Sequence, residues 1–250
     1  MLTAKDIVIK SIDSKSARAV VERWHYSGKC SQNSQIHFGV FYNGRLEGAL
    51  QFGPSIDKRR MAQNLNIEMN DFLELNRMAI SDVCPKNSES RAIGICLRIL
   101  KKTYPHLKLI VSFADACQCG DGVIYRASGF KLHSFKKNTS LLDAGGGNVV
   151  AKKSLDNKIS KEGRYLSSLL KFKPIEGHQM KYLYFFDKSL EEQFKFIDFA
   201  DIPDNVKMYK GEKLTRSEHE INAPVFHTGE SGELPTAALQ KENIVEINKK

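Results

Sequence analysis

The chain has 250 residues, 41% of them hydrophobic, and a formal net charge of +9. This length suits one domain with additions or two small ones. No apolar run approaches the ~20 residues that a membrane span needs, and the opening MLTAKDIVIKS lacks a secretory signal. Five cysteines, an odd number, favour a reduced, cytoplasmic protein over a disulfide scaffold.

The positive charge is concentrated in the first part of the chain. Residues 201–250 hold nine acids and seven bases, which leaves 31 bases and 20 acids in the first 200 residues. A basic body favours a polyanionic partner, because positive charge attracts and concentrates phosphates; a basic protein without such a partner is the alternative. Residues 201–250 are mostly polar and without periodicity, which predicts a flexible tail after a single domain over residues 1–200.

A helix and a hairpin are predicted first along the chain. Residues 15–24 (KSARAVVERW) place their apolar side chains on one helical face, and Asp13 or Ser14 can cap this helix. The apolar runs IHFGVFY and RLEGALQFG follow, joined by Asn43-Gly44. Asn-Gly between two such runs is the strongest short signal for a β-hairpin.

A strand, a helix and a second strand are predicted next. Residues 54–71 predict a polar loop that contains the basic run KRR, and residues 72–80 (FLELNRMAI) predict a strand. Residues 87–105 repeat apolar side chains at helical spacing, with Ser88 or Ser90 as the cap. The apolar run LKLIVSFAD then predicts a strand covered on both faces.

The remaining predicted elements are short. GDGVIYRASGF predicts a brief helix, FKLHSF a strand, residues 141–153 a hairpin around three glycines, and residues 180–187 a late strand. A strand, crossover helix and strand form a right-handed parallel unit, whereas the hairpin strands pair antiparallel. The order of elements therefore predicts an α/β protein with a mixed central sheet flanked by helices.

RAIGIC, residues 91–96, begins the predicted crossover helix. A helix N-terminus binds phosphate through free N–H groups and its dipole, and Gly94 would let a ligand approach the backbone; a glycine that packs the helix against the sheet is the alternative. The pattern R-x-x-G-x-small resembles the pyrophosphate loop of the GNAT acyltransferases, although Cys96 replaces the usual Gly or Ala. The resemblance implies donor binding by Ser90, Arg91, Ala92 and Gly94.

YRASGF, residues 125–130, extends this resemblance. GNAT proteins often carry a Tyr on the helix after the next strand, followed by Gly-Phe, and in many of them this Tyr is a general acid. The two motifs occur in the expected order with the expected elements between them. Together they indicate a GNAT-like acyltransferase fold.

A more specific resemblance covers most of the chain. WHYSG, NSQIHFGVFYNG, ELNRM, NSESRA, SFADACQCGDGVIYRASGF and, near the tail, MYKGEK resemble the Mom family of phage DNA-modification proteins. That family is GNAT-like and converts adenine in duplex DNA to N6-carbamoylmethyl adenine (methylcarbamoylation), which protects phage DNA from host restriction. Cys117 stands where the family pattern leads us to expect Thr.

The resemblance implies Arg77, Asp115 and Tyr125 as catalytic residues, and their chemistry fits. An arginine can hold a phosphate or a developing oxyanion, an aspartate at a strand end can deprotonate the adenine amino group, and a tyrosine can protonate a leaving group. Each has a structural alternative. Arg77 could form a salt bridge, Asp115 could cap the following turn, and Tyr125 could lie half-buried on the sheet.

Substrate contacts are predicted around the same end of the sheet. We predict that His25, Tyr26 and Ser27 bind substrate, and that His25 and Tyr26 are the candidate ligands for iron, a metal suspected in the family. A duplex adenine must leave the stack to react. Candidate stacking aromatics are Trp24, Tyr26, Tyr42 and Phe52. We expect at least two of them to be buried in the core instead. Candidate phosphate contacts are Lys29, Lys58, Arg59, Arg60, Lys136 and Lys137.

The donor is the open part of this interpretation. Acetyl-CoA cannot yield a carbamoylmethyl group in one acyl transfer, whereas a glycyl group is its isomer. An activated glycine such as glycyl-tRNA is therefore one hypothesis, and acetyl-CoA with metal-assisted oxidation is the other. Double-stranded DNA is the expected partner, with tRNA and a homodimer left open. The rival functions are an ordinary acetyl-CoA-dependent N-acetyltransferase and a non-catalytic DNA-binding protein.

Overall fold

A computed structural model of the protein describes residues 3–117, 120–145, 148–160, 163–202 and 244–245. The strands are β1 (Val8–Ser11), β2 (Ile36–Tyr42), β3 (Arg45–Gly53), β4 (Phe72–Ile80), β5 (Leu109–Asp115), β6 (Lys131–Lys137), β7 (Leu141–Asp143), β8 (Val149–Ala151), β9 (Ile159–Ser160), β10 (Lys173–Pro174), β11 (His178–Phe185) and β12 (Ile244–Val245). The helices are α1 (Ser14–Trp24), α2 (Lys58–Leu65), α3 (Ser88–Thr103), α4 (Val123–Ala127), α5 (Lys152–Asp156), α6 (Leu166–Leu169) and α7 (Lys188–Glu191).

A mixed seven-stranded sheet runs in the order β1-β2-β3-β4-β5-β11-β6. Strands β1 to β4 pair antiparallel with their neighbours, β4 and β5 are parallel, and β5 and β11 are antiparallel. The predicted α/β class with a mixed sheet flanked by helices is confirmed. The parallel pairing of β4 with β5 involves only residues 72–74 and 109–111. Beyond these residues the two strands are not paired, which leaves an opening in the sheet.

Helices pack on both faces of this sheet. One face holds the main core, where Ile93 and Leu97 of α3 meet Leu50 and Ile110 of the sheet. On the other face, α1 packs on Ala49 of β3 and Ala79 of β4, and α2 packs on the beginning of β4 and β5. Burial of these apolar side chains is the main favourable contribution to folding.

A bulge in β4 changes which side chains face each helix layer. The register between β3 and β4 shifts so that Asn76 is opposite no residue. Leu75 and Met78, three residues apart, consequently both contribute to the main core, whereas Arg77 and Ala79 face the α1 side. A bulge inserts one unpaired residue and re-aims the side chains that follow. It thereby directs Arg77 to the face opposite α3.

The chain forms two compact units. Unit 1 comprises Met1–Lys136 and His178–Tyr209, and unit 2 comprises Lys137–Gly177 and Lys210–Lys250. Unit 2 contains the sheet β10-β7-β8 and the pair β12-β9, with an apolar cluster of Leu142, Val150, Leu155 and Leu166. The flexible tail predicted over residues 201–250 lies mostly outside the described residues, so the boundary at residue 200 stays a prediction.

Most predicted elements are present, and those with the strongest local sequence signals agree best with the structure. The Asn43-Gly44 hairpin is confirmed, with both turn residues at positive φ. The first helix is confirmed, and Asp13 is its cap through a 2.9 Å hydrogen bond from the Ser16 N–H. The hairpin near residue 145 is confirmed by the antiparallel pairing of β7 with β8. No described helix has the length and hydropathy needed to cross a membrane.

Three features differ from the sequence predictions. The loop predicted over residues 54–71 is wrong in its centre, where helix α2 forms. Asp57 is the N-cap of this helix, and the helix buries Ala62 and Leu65. Neither Ser88 nor Ser90 is the N-cap of α3, since that position is Asn87 in a left-handed conformation. Strand β1 was missed because it has four residues and no turn signal before it.

Candidate functional site

The candidate site lies where β4 and β5 stop pairing. Arg77 projects from β4 just after the bulge, and Asp115 is the last residue of β5. Tyr26, in the segment that follows α1, forms a side-chain hydrogen bond with the Asp115 carboxylate. The segment that follows α1 therefore supplies a side chain to the open end of β5. The structure thus brings Tyr26 to Asp115, and it places Arg77 near His25, whose ring lies 4.3 Å from that of Tyr26.

Asp115 is a half-buried carboxyl with specific partners. Burial raises the pKa of Asp115 above its ordinary value, and hydrogen bonds from Cys117 and Tyr26 partly oppose that rise. Its Oδ1 accepts the backbone N–H of Cys117 at 3.1 Å, so the predicted turn-capping alternative is also present. A desolvated carboxylate is a stronger base than a solvated one. The same side chain can therefore both hold the turn and accept a proton.

His25 is held in one tautomer by the turn that follows it. Its Nδ1 accepts the backbone N–H of Ser27 at 3.1 Å and lies 2.8 Å from the Ser27 hydroxyl. A neutral ring that accepts at Nδ1 carries its proton on Nε2. Burial, with a contribution from the positive charge of Arg77, lowers the pKa of His25 from 6.5 to about 3. His25 is consequently a neutral Nε2–H donor near the site.

The predicted iron ligands do not fit a metal site in this arrangement. Nδ1 of His25 is occupied by Ser27, Nε2 carries the proton, and Tyr26 is bound to Asp115. Within the described ranges, no group of three or more His, Cys, Asp or Glu side chains could hold a metal ion. We therefore derive no chemical step through iron. Cys119, a thiol that could line the site, lies outside the described residues.

The buried neutral state of His25 should make the stability of the fold depend on pH. The unfolded chain binds a proton at His25 below about pH 6.5, whereas the folded chain does so only near pH 3. The free energy of unfolding should therefore fall as the pH falls through this range, by up to about 1.4 kcal/mol per pH unit from this group. His25→Asn, which retains an acceptor for Ser27, should show a shallower fall in urea unfolding between pH 7.5 and 4.5.

The matched control for that measurement is His106→Asn, at an exposed position beyond the end of α3. This variant should retain the wild-type pH slope. Equal slopes in wild type and His25→Asn would show that folded His25 binds a proton as readily as the unfolded chain does, contrary to the burial argument.

Arg77 is fixed by two backbone carbonyls. Its Nε donates to the Lys29 carbonyl at 3.0 Å, and its Nη1 donates to the Asn76 carbonyl at 2.7 Å. Among the described residues it forms no ion pair, and its Nη2 has no hydrogen-bond acceptor. The salt-bridge alternative is therefore wrong within the described part of the chain. A guanidinium that is held rigidly at Nε and Nη1 can direct Nη2 at a ligand oxygen.

A second, partly buried acid stands beside the bulge and was missed in the sequence. Burial raises the pKa of Glu74, while the neighbouring polar side chains of Ser55 and Asn76 and the charge of Arg77 lower it in part. Asn76 is itself buried and accepts a 3.0 Å hydrogen bond from the Ser34 hydroxyl. The run ELNRM contained a signal, because the polar residues Glu74, Asn76 and Arg77 interrupt a strand that is otherwise apolar.

Tyr125 lies on the other face of β5. Its ring packs 5.6 Å from the ring of Phe130 and 5.5 Å from that of Tyr182, both members of the main core. Its hydroxyl donates to the Phe113 carbonyl of β5 at 3.5 Å. The predicted half-buried position of this tyrosine is therefore observed. Tyr125 and Asp115 stand on opposite sides of the same strand end.

The start of α3 leaves backbone groups open on the Tyr125 side. The backbone N–H groups of Glu89 and Ser90 have no acceptor among the described residues, as expected in a first helical turn. A Cβ placed on Gly94 would meet only the Arg98 side chain, at 3.8 Å. The alternative that Gly94 packs the helix against the sheet is therefore wrong. Ala92 is buried in the main core, so it can offer a ligand only its backbone.

Several predicted DNA contacts are placed elsewhere. Tyr42 and Phe52 are buried in the main core, which confirms that the core claims two of the candidate aromatics and makes their predicted stacking role wrong. Trp24 packs beside the α1 core and is covered by the Arg23 guanidinium, 4.6 Å from its ring centroid. Tyr26 alone among the four candidates contacts Asp115.

The predicted phosphate contacts are dispersed over several elements. Arg59 and Arg60 are exposed on α2 instead of in a loop, and no described hydrogen bond or ion pair joins them to Asp115. Lys58 donates to Asn70 at 3.0 Å. Lys29 is exposed close to Arg77, and Lys136 and Lys137 end β6. Of this group, Lys29 adjoins Arg77 through its backbone carbonyl, and Lys136 lies near Lys181 of β11.

The mixed sheet, its opening, Asp115 at the end of β5 and Arg77 on β4 define an α/β protein with a candidate group-transfer site. A sequence model described as the Mom protein family matches residues 6–202. The chain belongs to the Mom protein family. A curated relative is "Methylcarbamoylase mom" of Escherichia phage Mu, which is 38% identical over 140 residues. That match covers 54% of this chain and 57% of the relative, so the chain spans little more than half of that protein.

Solved structures that are similar to the chain include acetyltransferases. An IAA acetyltransferase from Bacillus cereus is 10% identical, with a TM-score of 0.41 over 72% of this chain and 99% of that one. A polyamine N-acetyltransferase from Drosophila melanogaster is 11% identical, with a TM-score of 0.44 over 72% of this chain and 100% of that one. Likeness at these TM-scores carries no argument about cofactor or substrate.

Proposed function

We propose that the chain is a phage DNA-modification enzyme that converts adenine N6 in DNA to N6-carbamoylmethyl adenine. In a phage-infected or lysogenic bacterium, this product would protect phage DNA from restriction. The observation that carries the proposal is Asp115, a desolvated carboxyl held by Tyr26 at the open end of β5, in a chain of the Mom family. The name of the phage Mu relative supports the kind of group that is transferred.

The positions of the side chains support a division of roles around β5. The adenine amino nitrogen would form the new bond and lose a proton to Asp115. Arg77, through Nη2, would stabilise negative charge that develops on the donor carbonyl oxygen. Tyr125, on the other side of the strand, would return a proton to the leaving group. Asp115 and Tyr125 can then act at the same time without competing for one proton.

The start of α3 supports an acyl donor on the Tyr125 side of the sheet. The free N–H groups of Glu89 and Ser90, exposed Arg91 and the open face of Gly94 would hold a phosphate-bearing donor. Coenzyme A thioesters and aminoacyl-tRNA both carry phosphates of this kind. Neither donor is favoured by this geometry alone, because both would present phosphate to the same groups.

Atom balance favours an activated glycine over acetyl-CoA as the source of the group. The glycyl and carbamoylmethyl groups have the same atoms, so transfer followed by rearrangement needs no oxidant. An acetyl group lacks the amide nitrogen and would need an oxidative step. Cells that express the chain and grow on ¹⁵N,¹³C-glycine should produce a modified nucleoside whose carbamoylmethyl group carries both labels, beyond the label that purine synthesis places in unmodified deoxyadenosine from the same cells. A carbamoylmethyl group without glycine-derived atoms would exclude this donor.

The test of the proposed function is nucleoside mass spectrometry of DNA from bacteria that express the chain. A deoxyadenosine heavier by one carbamoylmethyl group, absent from cells without the chain, is the expected result. Unmodified DNA together with retained DNA binding would favour the non-catalytic alternative. Unmodified DNA together with acetylated small molecules or proteins would favour the ordinary acetyltransferase.

Replacing Gly94 tests the donor side of the site. Gly94→Val fills the open face beside the α3 N-terminus, so modification at limiting donor should fall by about 10-fold or more, equivalent to about 1.4 kcal/mol. Gly94→Ala should have a smaller effect, because it adds one methyl group. Thermal stability should be unchanged or higher in both variants, since Gly is a poor helix former. Wild-type rates in Gly94→Val would place the donor elsewhere.

A further inference from the structure

An aromatic side chain is exposed on the sheet beside the candidate site. Phe113 is 36% exposed although it lies inside β5, whose other residues up to Ala114 are buried. Leu109 and Val111 share its face and are covered by the α2 cluster. Asp115 is two residues further along the same strand and so projects on this face as well. The exposed ring is therefore the neighbour of Asp115 on the side away from α3.

A lysine lies directly beside this ring on the neighbouring strand. Lys181 of β11 pairs directly with Phe113, so both side chains project on one face. Burial and the positive charge of Lys136 lower the pKa of Lys181, and burial and the charge of Lys181 lower that of His133. Lys181 takes part in none of the four ion pairs of the described residues. Two lysines close together without an acid between them favour an anionic ligand.

We propose that Phe113 is the stacking platform for the target adenine of DNA and that Lys181 and Lys136 hold the adjoining phosphate. The inference rests on the proposed function and adds the surface that presents the base to Asp115. Aromatic rings stack on bases of any sequence, and lysines contact the backbone without reading it. An exposed aromatic ring next to lysines that form no ion pair can stack on the base and contact the phosphate of an extruded nucleotide.

The two faces of β5 indicate why this surface should take the acceptor DNA and not the donor. The α3 start and the Tyr125 ring lie on the main-core face, and Phe113, Lys181 and Asp115 lie on the opposite face. The Tyr125 hydroxyl donates to the carbonyl of Phe113, so only the strand separates them. Base and donor would meet from opposite sides at the gap between β4 and β5.

Fluorescence anisotropy with a labelled single-stranded oligonucleotide that contains one adenine tests this inference. Phe113→Ala should weaken binding roughly 5- to 150-fold, the range for the loss of one stacked base. Phe113→Trp should restore it, because indole also stacks. The matched control is Tyr165→Ala, which removes another exposed aromatic, 56% exposed in unit 2, and should bind as wild type does. An unchanged melting temperature in Phe113→Ala would exclude misfolding.

A second pair of measurements separates stacking from charge. On an oligonucleotide with an abasic site in place of the adenine, Phe113→Ala and wild type should bind equally. Lys181→Gln should weaken binding to both oligonucleotides and reduce the slope of log K against log salt by about 0.7. Lys102→Gln, an exposed lysine in the last turn of α3, should leave that slope unchanged.

The outcomes distinguish this inference from the proposed function. If wild type binds and modifies DNA but Phe113→Ala binds it equally well, the inference is overturned and the proposed function stands. If wild type neither binds nor modifies DNA, the proposed function fails first. If Phe113→Ala weakens binding of tRNA and not of DNA, the surface serves a tRNA donor, and the assignment to the target base is wrong.

Discussion

Asp115→Asn should lower adenine modification by about 10²- to 10⁴-fold, the usual contribution of a general base, and leave DNA binding intact. Asparagine retains an oxygen for the Cys117 N–H and a partner for Tyr26, so the turn after β5 should keep its shape. It cannot accept the N6 proton. The measurement is the rate of nucleoside modification by purified protein, with anisotropy on the same DNA.

Stability separates this effect from a folding defect. Because burial raises the pKa of Asp115, the ionised carboxylate is less stable in the folded chain than in the unfolded one at neutral pH. Removing the charge should therefore leave the melting temperature unchanged or raise it. Asp187→Asn, which removes the acidic cap of α7, is the matched control and should retain activity. Activity of Asp115→Asn within a factor of two of wild type would exclude Asp115 as the base.

Arg77→Lys should lower the modification rate by about 10²- to 10³-fold, the usual loss when one oxyanion donor is removed. Lysine keeps the charge but cannot bond the Lys29 and Asn76 carbonyls while a further N–H points at a ligand. The loss should appear in kcat more than in KM, because the interaction is made in the transition state. Steady-state kinetics over a range of DNA concentrations measure both constants.

Arg45→Lys, at an exposed position in the β2–β3 hairpin, is the matched control for the exchange of arginine and lysine. It should have wild-type kinetics. An Arg77→Lys variant that changed only KM for DNA would indicate that Arg77 contacts a phosphate of the substrate. An effect on stability alone would restrict its role to holding the Lys29 segment against β4.

The central elements could be predicted from the sequence because their signals are local. Asn43-Gly44 fixes a tight turn, Asp13 caps a helix within three residues, and the continuous apolar run of β5 predicts a strand. Its predicted cover on both faces holds except at Phe113, which is exposed. Helix α2 was missed because the charge of its KRR run outweighed two buried apolar residues, Ala62 and Leu65. Such a short amphipathic helix is stabilised mainly by packing on β4 and β5, which no local pattern reports.

Candidate site residues could be proposed from the sequence, but their arrangement could not. Residue types and a family resemblance pointed to Arg77, Asp115 and Tyr125, and the fold places Arg77 and Asp115 at one opening, with Tyr125 on the other side of β5. Tyr42 and Phe52 have the same chemistry as a stacking ring, yet strand register buries them in the core. The presence of an aromatic residue in the sequence does not indicate whether its ring lies in the core or at a binding surface.

The sequence by itself determined the α/β class, the order of the main helices and strands and the basic body, because periodicity, turn chemistry and charge act over a few residues. Only the tertiary structure decided which face each side chain serves. The Asn76 bulge turns Arg77 toward α1, the end of strand pairing opens the sheet beside Asp115, and the register with β11 sets Lys181 beside Phe113. Pairing between strands distant in the chain sets these relations, and a shift of one residue would reverse them.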